Sequence, residues 1–197
     1  MPGPSLIGLT GGIAAGKSEA LAILARRGAA TLSTDAVVHE LLGNDEVRDL
    51  IVERWGEDVA PDGRLDRERI AAVVFERPEE LTWLESVLHP RVGARVLEWR
   101  EALPVELDVA VIEVPLLFEA KMESLFDATL AVIAAEPERR RRATARGTGE
   151  LEGRSGRQLS QEKKADRATH VIRNDGTLEQ LEAAIGQIWP ELIEAGS

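Results

Sequence analysis

The sequence predicts an α/β protein of three layers, in which a five-stranded parallel sheet is covered by helices and interrupted by a helical insertion and a lid. Three observations carry that expectation. Short apolar runs alternate along the chain with stretches of helical period. A glycine-rich turn joins the first apolar run to the first helical stretch. About 65 residues, from Ala36 to Ala102, show helical period alone.

Each element follows from its own residues. "SLIGL", from Ser5 to Leu9, is a short apolar run ending in glycines, and Leu21, Leu24 and Ala25 then repeat at helical spacing between Lys17 and Arg27. Strand, glycine turn and helix follow one another. "AATLS" (Ala29 to Ser33), "VELDVAVIEV" (Val105 to Val114), "ATLAVIA" (Ala128 to Ala134) and "THVIRN" (Thr169 to Asn174) supply four further strands, short and rich in β-branched residues. Strands separated by helices pair in parallel, because each connection must cross back over the sheet.

The core is therefore expected at 1–35 and 103–197, with 36–102 as a helical subdomain inserted between two strands. The turn "APDGR", Pro78 and Pro90 break the helical pattern within the insertion. Between Glu136 and Lys164 the chain is charged, arginine-rich and poor in apolar residues, which fits a lid over about 137–165 and equally a solvated hairpin. The tail from Thr177 to Ile193 is an amphipathic helix with Leu178, Leu181, Ile185, Ile188 and Trp189 on one face.

Composition narrows the partners. With 197 residues and a net charge of -11, the protein repels nucleic acid and anionic membranes on average, so neither is expected as a partner. There is no cysteine, hence no disulfide framework and no thiolate metal site. The start of the chain lacks the positive n-region and long apolar run of a signal peptide, and no run is long enough to span a membrane, so a cytoplasmic location is expected.

The chemistry begins at "LTGGIAAGKS", Leu9 to Ser18. Gly11, Gly16, Lys17 and Ser18 fit G-x-x-x-x-G-K-[ST], a phosphate-binding loop. Its glycines let backbone N–H groups turn inward, and the helix that follows adds the positive end of its dipole. In such a loop Lys17 reaches the β- and γ-phosphates and the Ser18 hydroxyl takes a Mg²⁺ position. No Asp-x-x-Gly element and no Asn-Lys-x-Asp guanine reader is present, which favours ATP and a kinase over a GTP-hydrolysing switch.

A kinase must also orient the acceptor hydroxyl. Asp35 lies just past the second strand, at the carboxyl edge where α/β sheets bind ligands, and is the candidate general base; it equally suits capping a helix that begins at Ala36. Arg139, Arg140, Arg141, Arg142 and Arg146 provide positive charge, with Arg142 and Arg146 on one face at i, i+4, and only two or three of them are expected to matter. His39 and His170 read as structural or surface residues, while His89 sits in "LHP" at a helix break. Glu113 ends a buried strand and either orders Mg²⁺ through water or simply terminates the strand. A nucleoside or nucleotide kinase and a non-catalytic nucleotide-binding switch both remain open at this level.

Taken in order, "LTGGIAAGKS", "DGRLDRERIAAVVF" with "LESVLHPRV", "VPLLFEA", the arginine-rich segment and "ADRATHVIRNDGTLEQL" resemble the dephospho-CoA kinase family over about Leu6 to Leu181. The resemblance implies the P-loop NTPase fold and ATP-dependent, Mg²⁺-assisted phosphorylation of the ribose 3'-hydroxyl of dephospho-CoA, the final step of coenzyme A synthesis. It implies that Gly11, Gly12, Ile13, Ala14, Ala15, Gly16, Lys17, Ser18 and Glu19 form the ATP loop, with Asn174 near the ATP base and Arg142 and Arg146 as lid arginines. It places Asp35 as the second aspartate of an Asp-x-Asp element, and Thr10, His89, Pro115, Leu116 and Glu119 on the acceptor side. Ser33 stands where the family's first acidic residue falls, Ala14 and Ala15 stand where Gly-Ser is common, and the lid between Arg146 and Gln158 is a few residues short.

Overall fold

Five parallel strands form one sheet in the order β2-β3-β1-β4-β5: β1 (Ser5–Gly11), β2 (Ala30–Ser33), β3 (Val109–Glu113), β4 (Ala128–Ile133) and β5 (His170–Arg173). The computed structural model describes residues 3–145 and 158–196. β1, β3 and β4 are buried along their whole length, while the edge strands β2 and β5 are only partly covered, as their fewer apolar residues dictate. The third strand is shorter than its apolar run: Val105 lies in an exposed turn and pairing starts only at Val109.

Alternation along β1 separates two packing faces. Ile7 and Leu9 join α1 (Lys17–Arg26) and α8 (Leu178–Glu194) through Ile23, Leu24, Leu181, Ile185 and Leu192. The other residues of the strand, Gly8 and Thr10, meet Leu117 and Phe126 at Gly8 and the ammonium of Lys164 at Thr10. α8 opens on a capping box, with Thr177 Oγ1 accepting from Gln180 N and Gln180 Oε1 accepting from Thr177 N at 2.9 Å. Its buried stripe is rotated slightly from the expected one: Leu178 is half exposed and Leu192 is buried in its stead.

The chain divides into two compact units, residues 34–102 and the remainder. The helical unit contains α2 (Thr34–Leu42), α3 (Asp45–Trp55), α4 (Arg67–Glu76) and α5 (Pro78–Glu101), packed through Val47, Ile51, Val59, Ile70, Leu84 and Leu88. The expected break at Pro78 is present: α4 ends at Glu76 and Pro78 starts α5, a position that suits a residue with no N–H to offer. Pro90, expected to break the helix, lies inside it. A proline there costs about 3 kcal/mol, and burying Leu84 and Leu88 on the same helix returns about 1.5–3 kcal/mol each, so tertiary packing outweighs local propensity. Arg91, the residue after Pro90, donates from Nη1 to the Val87 carbonyl at 2.8 Å.

In the first turn of this helix Glu80 is buried, accepting from Arg54 Nε at 3.0 Å and Nη2 at 3.2 Å and from Trp55 Nε1 at 2.8 Å. Trp55 meets Trp83 edge-on at 5.2 Å. Among the described residues no helix is long and apolar enough to cross a membrane.

The Arg54 hydrogen bonds, followed by that from Trp55, hold the Glu80 carboxyl below its ordinary value of 4.5. A carboxyl lowered in the folded state stabilises the fold above the unfolded value, and that contribution is lost as pH falls through the lowered one. Glu80→Gln is therefore expected to flatten the fall in Tm between roughly pH 5 and pH 3, followed by circular dichroism; a curve parallel to that of the wild type contradicts this.

Candidate active site

The turn after β1 is shaped by two glycines with no room for a side chain. A Cβ on Gly11 would run into the Val132 carbonyl of β4, and one on Gly16 would run into the Asn174 amide. Gly16 has φ of 103°, a left-handed conformation that glycine adopts without cost, and serves as the N-cap of α1. Ala14 adopts φ of 58° in the same turn, the left-handed region that a Cβ penalises.

The loop's carbonyls are engaged by side-chain donors. Lys17 Nζ donates to Gly12 O at 3.2 Å and Gly11 O at 3.4 Å. Asn174, buried just after β5, donates from Nδ2 to Ala15 O at 2.9 Å. From α6 (Glu136–Ala145), Arg139 Nε donates to Ile13 O at 2.9 Å, while Arg142 donates to Ala15 O at 3.4 Å and to Asn174 O at 2.9 Å. One amide of the turn is also engaged, Ala15 N donating to Gly12 O at 3.2 Å, and the turn leads directly into the N-terminus of α1, the end of a helix that favours an anion. Ser18 and Glu19 are exposed at that first turn.

The arginine run divides cleanly. All four pair with Glu136 or Glu138 of their own helix, but Arg139 and Arg142, 17% and 18% exposed, also donate to the loop, whereas Arg140 and Arg141 are 68% and 72% exposed. Arg139 lies three residues before Arg142 on one stripe, a signal the sequence carries. Arg146 and the middle of the expected lid, residues 146–157, lie outside the described residues.

A second polar cluster sits beside Thr10. Thr10 Oγ1 donates to Pro115 O at 3.2 Å, and Lys164 of α7 (Gln161–Arg167) donates from Nζ to Pro115 O at 2.5 Å. The same ammonium pairs with Glu119 Oε1 at 3.0 Å, and Leu159 N donates to that oxygen at 2.7 Å. Lys164 is fully buried, and desolvation pushes its pKa below the ordinary lysine value against the upward pull of Glu119. Gln161 brackets Ala134, accepting from its N at 3.0 Å and donating to its O at 2.9 Å. Neither Gln161 nor Lys164 was legible in "QEKKADR", where nothing distinguishes a buried lysine from a solvated one.

Two cavities flank these clusters. One of about 610 Å³ is lined by Gly12, Ile13, Arg139, Gln158, Gln161 and Arg173. Another, of about 490 Å³, is lined by Phe118, Glu119, Glu123, Leu159 and Arg167 among others. Among the described residues, Glu119 Oε2 and Glu123 Oε2 are the buried side-chain oxygens without a hydrogen-bond donor.

Asp35 and His89 belong to the helical unit. Asp35 is the second residue of α2, two positions after the end of β2, and is exposed. α2 begins at Thr34, so Asp35 lies inside the first turn rather than capping a helix that starts at Ala36. His89 stands exposed in the middle of α5, not at a helix break.

A parallel sheet of this strand order, with a Gly-Lys-Ser loop at the carboxyl edge of its central strand, defines a P-loop kinase. The chain belongs to the dephospho-CoA kinase family, whose model (CoaE, dephospho-CoA kinase) matches residues 5–180. A dephospho-CoA kinase of Streptomyces avermitilis is 38% identical over 194 residues, covering 95% of this chain and 93% of the relative. A crystal structure of a Thermus thermophilus protein, 37% identical, superposes with a TM-score of 0.84 over 96% of this chain and 98% of that one. The dephospho-CoA kinase from Campylobacter jejuni, 23% identical, shares the fold with a TM-score of 0.67 over 96% of this chain and 97% of that one.

The left-handed Ala14 yields a prediction. An alanine there costs about 1–2 kcal/mol, against about 0.5–1 kcal/mol for the extra unfolded-state freedom of glycine. Ala14→Gly is expected to leave stability in denaturant unchanged or raised by up to about 1 kcal/mol; a loss of that size contradicts the strain.

Proposed function

We propose that the protein transfers the γ-phosphoryl group of ATP to the ribose 3'-hydroxyl of dephospho-CoA, the last step of coenzyme A synthesis. Family membership across residues 5–180 carries this reading, because that span takes in the phosphate loop, Asp35 and the 115–119 loop together.

In this reading the N–H groups of Gly11 to Ser18 hold the β- and γ-phosphates of ATP, and Lys17 adds a positive charge on the same side. Asp35 accepts the proton as the 3'-oxygen bonds to the γ-phosphorus and the bond to the β-bridging oxygen breaks, releasing ADP. Arg142 and Arg146 offset charge on the transferring group. The helical unit, with His89, holds the pantetheine arm, while Thr10, Pro115, Leu116 and Glu119 line the acceptor side.

The hard oxygen donors of Ser18, exposed on the first turn of α1, and Glu113, buried at the end of β3, suit Mg²⁺, which takes few protein ligands and keeps several waters. Bound there, Mg²⁺ neutralises charge on the phosphates. The substrates are small soluble molecules, which accords with a cytoplasmic protein needing neither nucleic acid nor a membrane.

ADP release is expected with dephospho-CoA and not with nucleosides, nucleoside monophosphates or no acceptor; stimulation by nucleosides alone contradicts the assignment. Asp35→Asn is expected to lower kcat at least about a hundredfold with the fold retained, and near-wild-type kcat would exclude it as the base. Lys17→Ala is expected to abolish turnover, read in the same assay.

A further inference from the structure

α7 presents three side chains at successive turns toward the sheet edge. Gln161 brackets Ala134, Lys164 reaches Pro115 and Glu119, and Arg167 reaches Phe118 and Glu123. The last two grip the 115–119 loop from both ends. Arg167 donates to Phe118 O at 3.1 Å, lies 4.8 Å over the Phe118 ring and forms an ion pair with Glu123.

Lys164 is the unusual member. Its ammonium is 0% exposed, and its three donors meet three acceptors, Pro115 O at 2.5 Å, Glu119 Oε1 at 3.0 Å and Thr10 Oγ1 at 3.4 Å. A buried ammonium with one carboxylate is a poor device for stability, since desolvation offsets much of the attraction and an apolar pair of similar volume often does as well. What it supplies is direction. The Glu119 carboxylate, held by Lys164 and by Leu159 N through Oε1, keeps Oε2 without a donor beside the 490 Å³ cavity. The Pro115 carbonyl is fixed against Thr10, the residue immediately before the phosphate loop.

We infer that Lys164 is a positioning residue for the acceptor: by fixing the Pro115 carbonyl and the Glu119 carboxylate from beneath, it presets the 115–119 loop so that Glu119 Oε2 is turned toward a donor group of the incoming dephospho-CoA. This rests on the assignment of that loop to the acceptor. Lys164 does not touch the reacting atoms, so its loss acts on acceptor binding more than on the chemical step.

The test is a comparison of Lys164→Met, Glu119→Gln and the double variant with wild type, measuring KM for each substrate and kcat. Lys164→Met is expected to raise KM for dephospho-CoA about tenfold, the loss of one charge-assisted hydrogen bond, with KM for ATP and kcat within about twofold. The double variant is expected to be no worse than the more impaired single one, because both changes remove the same orientation. It also leaves no uncompensated buried charge, so it carries the comparison if Lys164→Met fails to fold. Parallel rises in both KM values, no change in either, multiplicative effects, or failure of both Lys164 variants to fold overturns the inference. Wild-type protein without turnover on dephospho-CoA overturns the function assignment as well, whereas wild-type turnover with an unchanged acceptor KM in Lys164→Met overturns the Lys164 role alone.

Discussion

The site is organised around the Ala15 carbonyl. Asn174 and Arg142 both donate to it, and Arg142 also holds the Asn174 carbonyl, so the residue after β5, the last turn of α6 and the phosphate loop close on one another. Gly16 must be a glycine because the Asn174 amide occupies the space a Cβ would need. A carbonyl buried without a donor costs about 1–3 kcal/mol, so this small knot is enough to decide the direction in which the loop's amides point. Arg139 repeats the device one turn earlier, on Ile13.

Two helices serve two loops in the same way. α6 spends its inward-facing arginines on the backbone of the phosphate loop, and α7 spends Lys164 and Arg167 on the backbone of the 115–119 loop. Thr10 and Pro115 join the two systems, since the hydroxyl of the residue preceding Gly11 donates to the carbonyl that Lys164 holds. Positive charge set against carbonyls fixes the geometry of both loops. A protein whose net charge is -11 thus sets Lys17, Arg139 and Arg142 against one loop.

The sheet was readable from the sequence because β1, β3 and β4 are buried on both faces and so are written as unbroken apolar runs. The phosphate loop was readable because its glycines are forced, Gly11 by the Val132 carbonyl and Gly16 by the Asn174 side-chain amide and its own positive φ. Pro90 misled because helix breaking is a local cost and the burial of Leu84 and Leu88 is a tertiary gain. Lys164 and Gln161 were invisible for a related reason: in a seven-residue helix rich in charge, burial is decided by what the helix lands on, and no period announces it. Arg139 lay between these cases, marked only by sharing a stripe with Arg142.

The claim that donors on the loop's carbonyls set its affinity for phosphate is tested most directly by calorimetric titration of ATP into Asn174→Ala, which removes the 2.9 Å bond to Ala15 O and leaves the backbone bond to Arg142 in place. ATP is expected to bind about tenfold more weakly, with dephospho-CoA binding unchanged. Equal ATP affinity in the variant and the wild type would contradict the account.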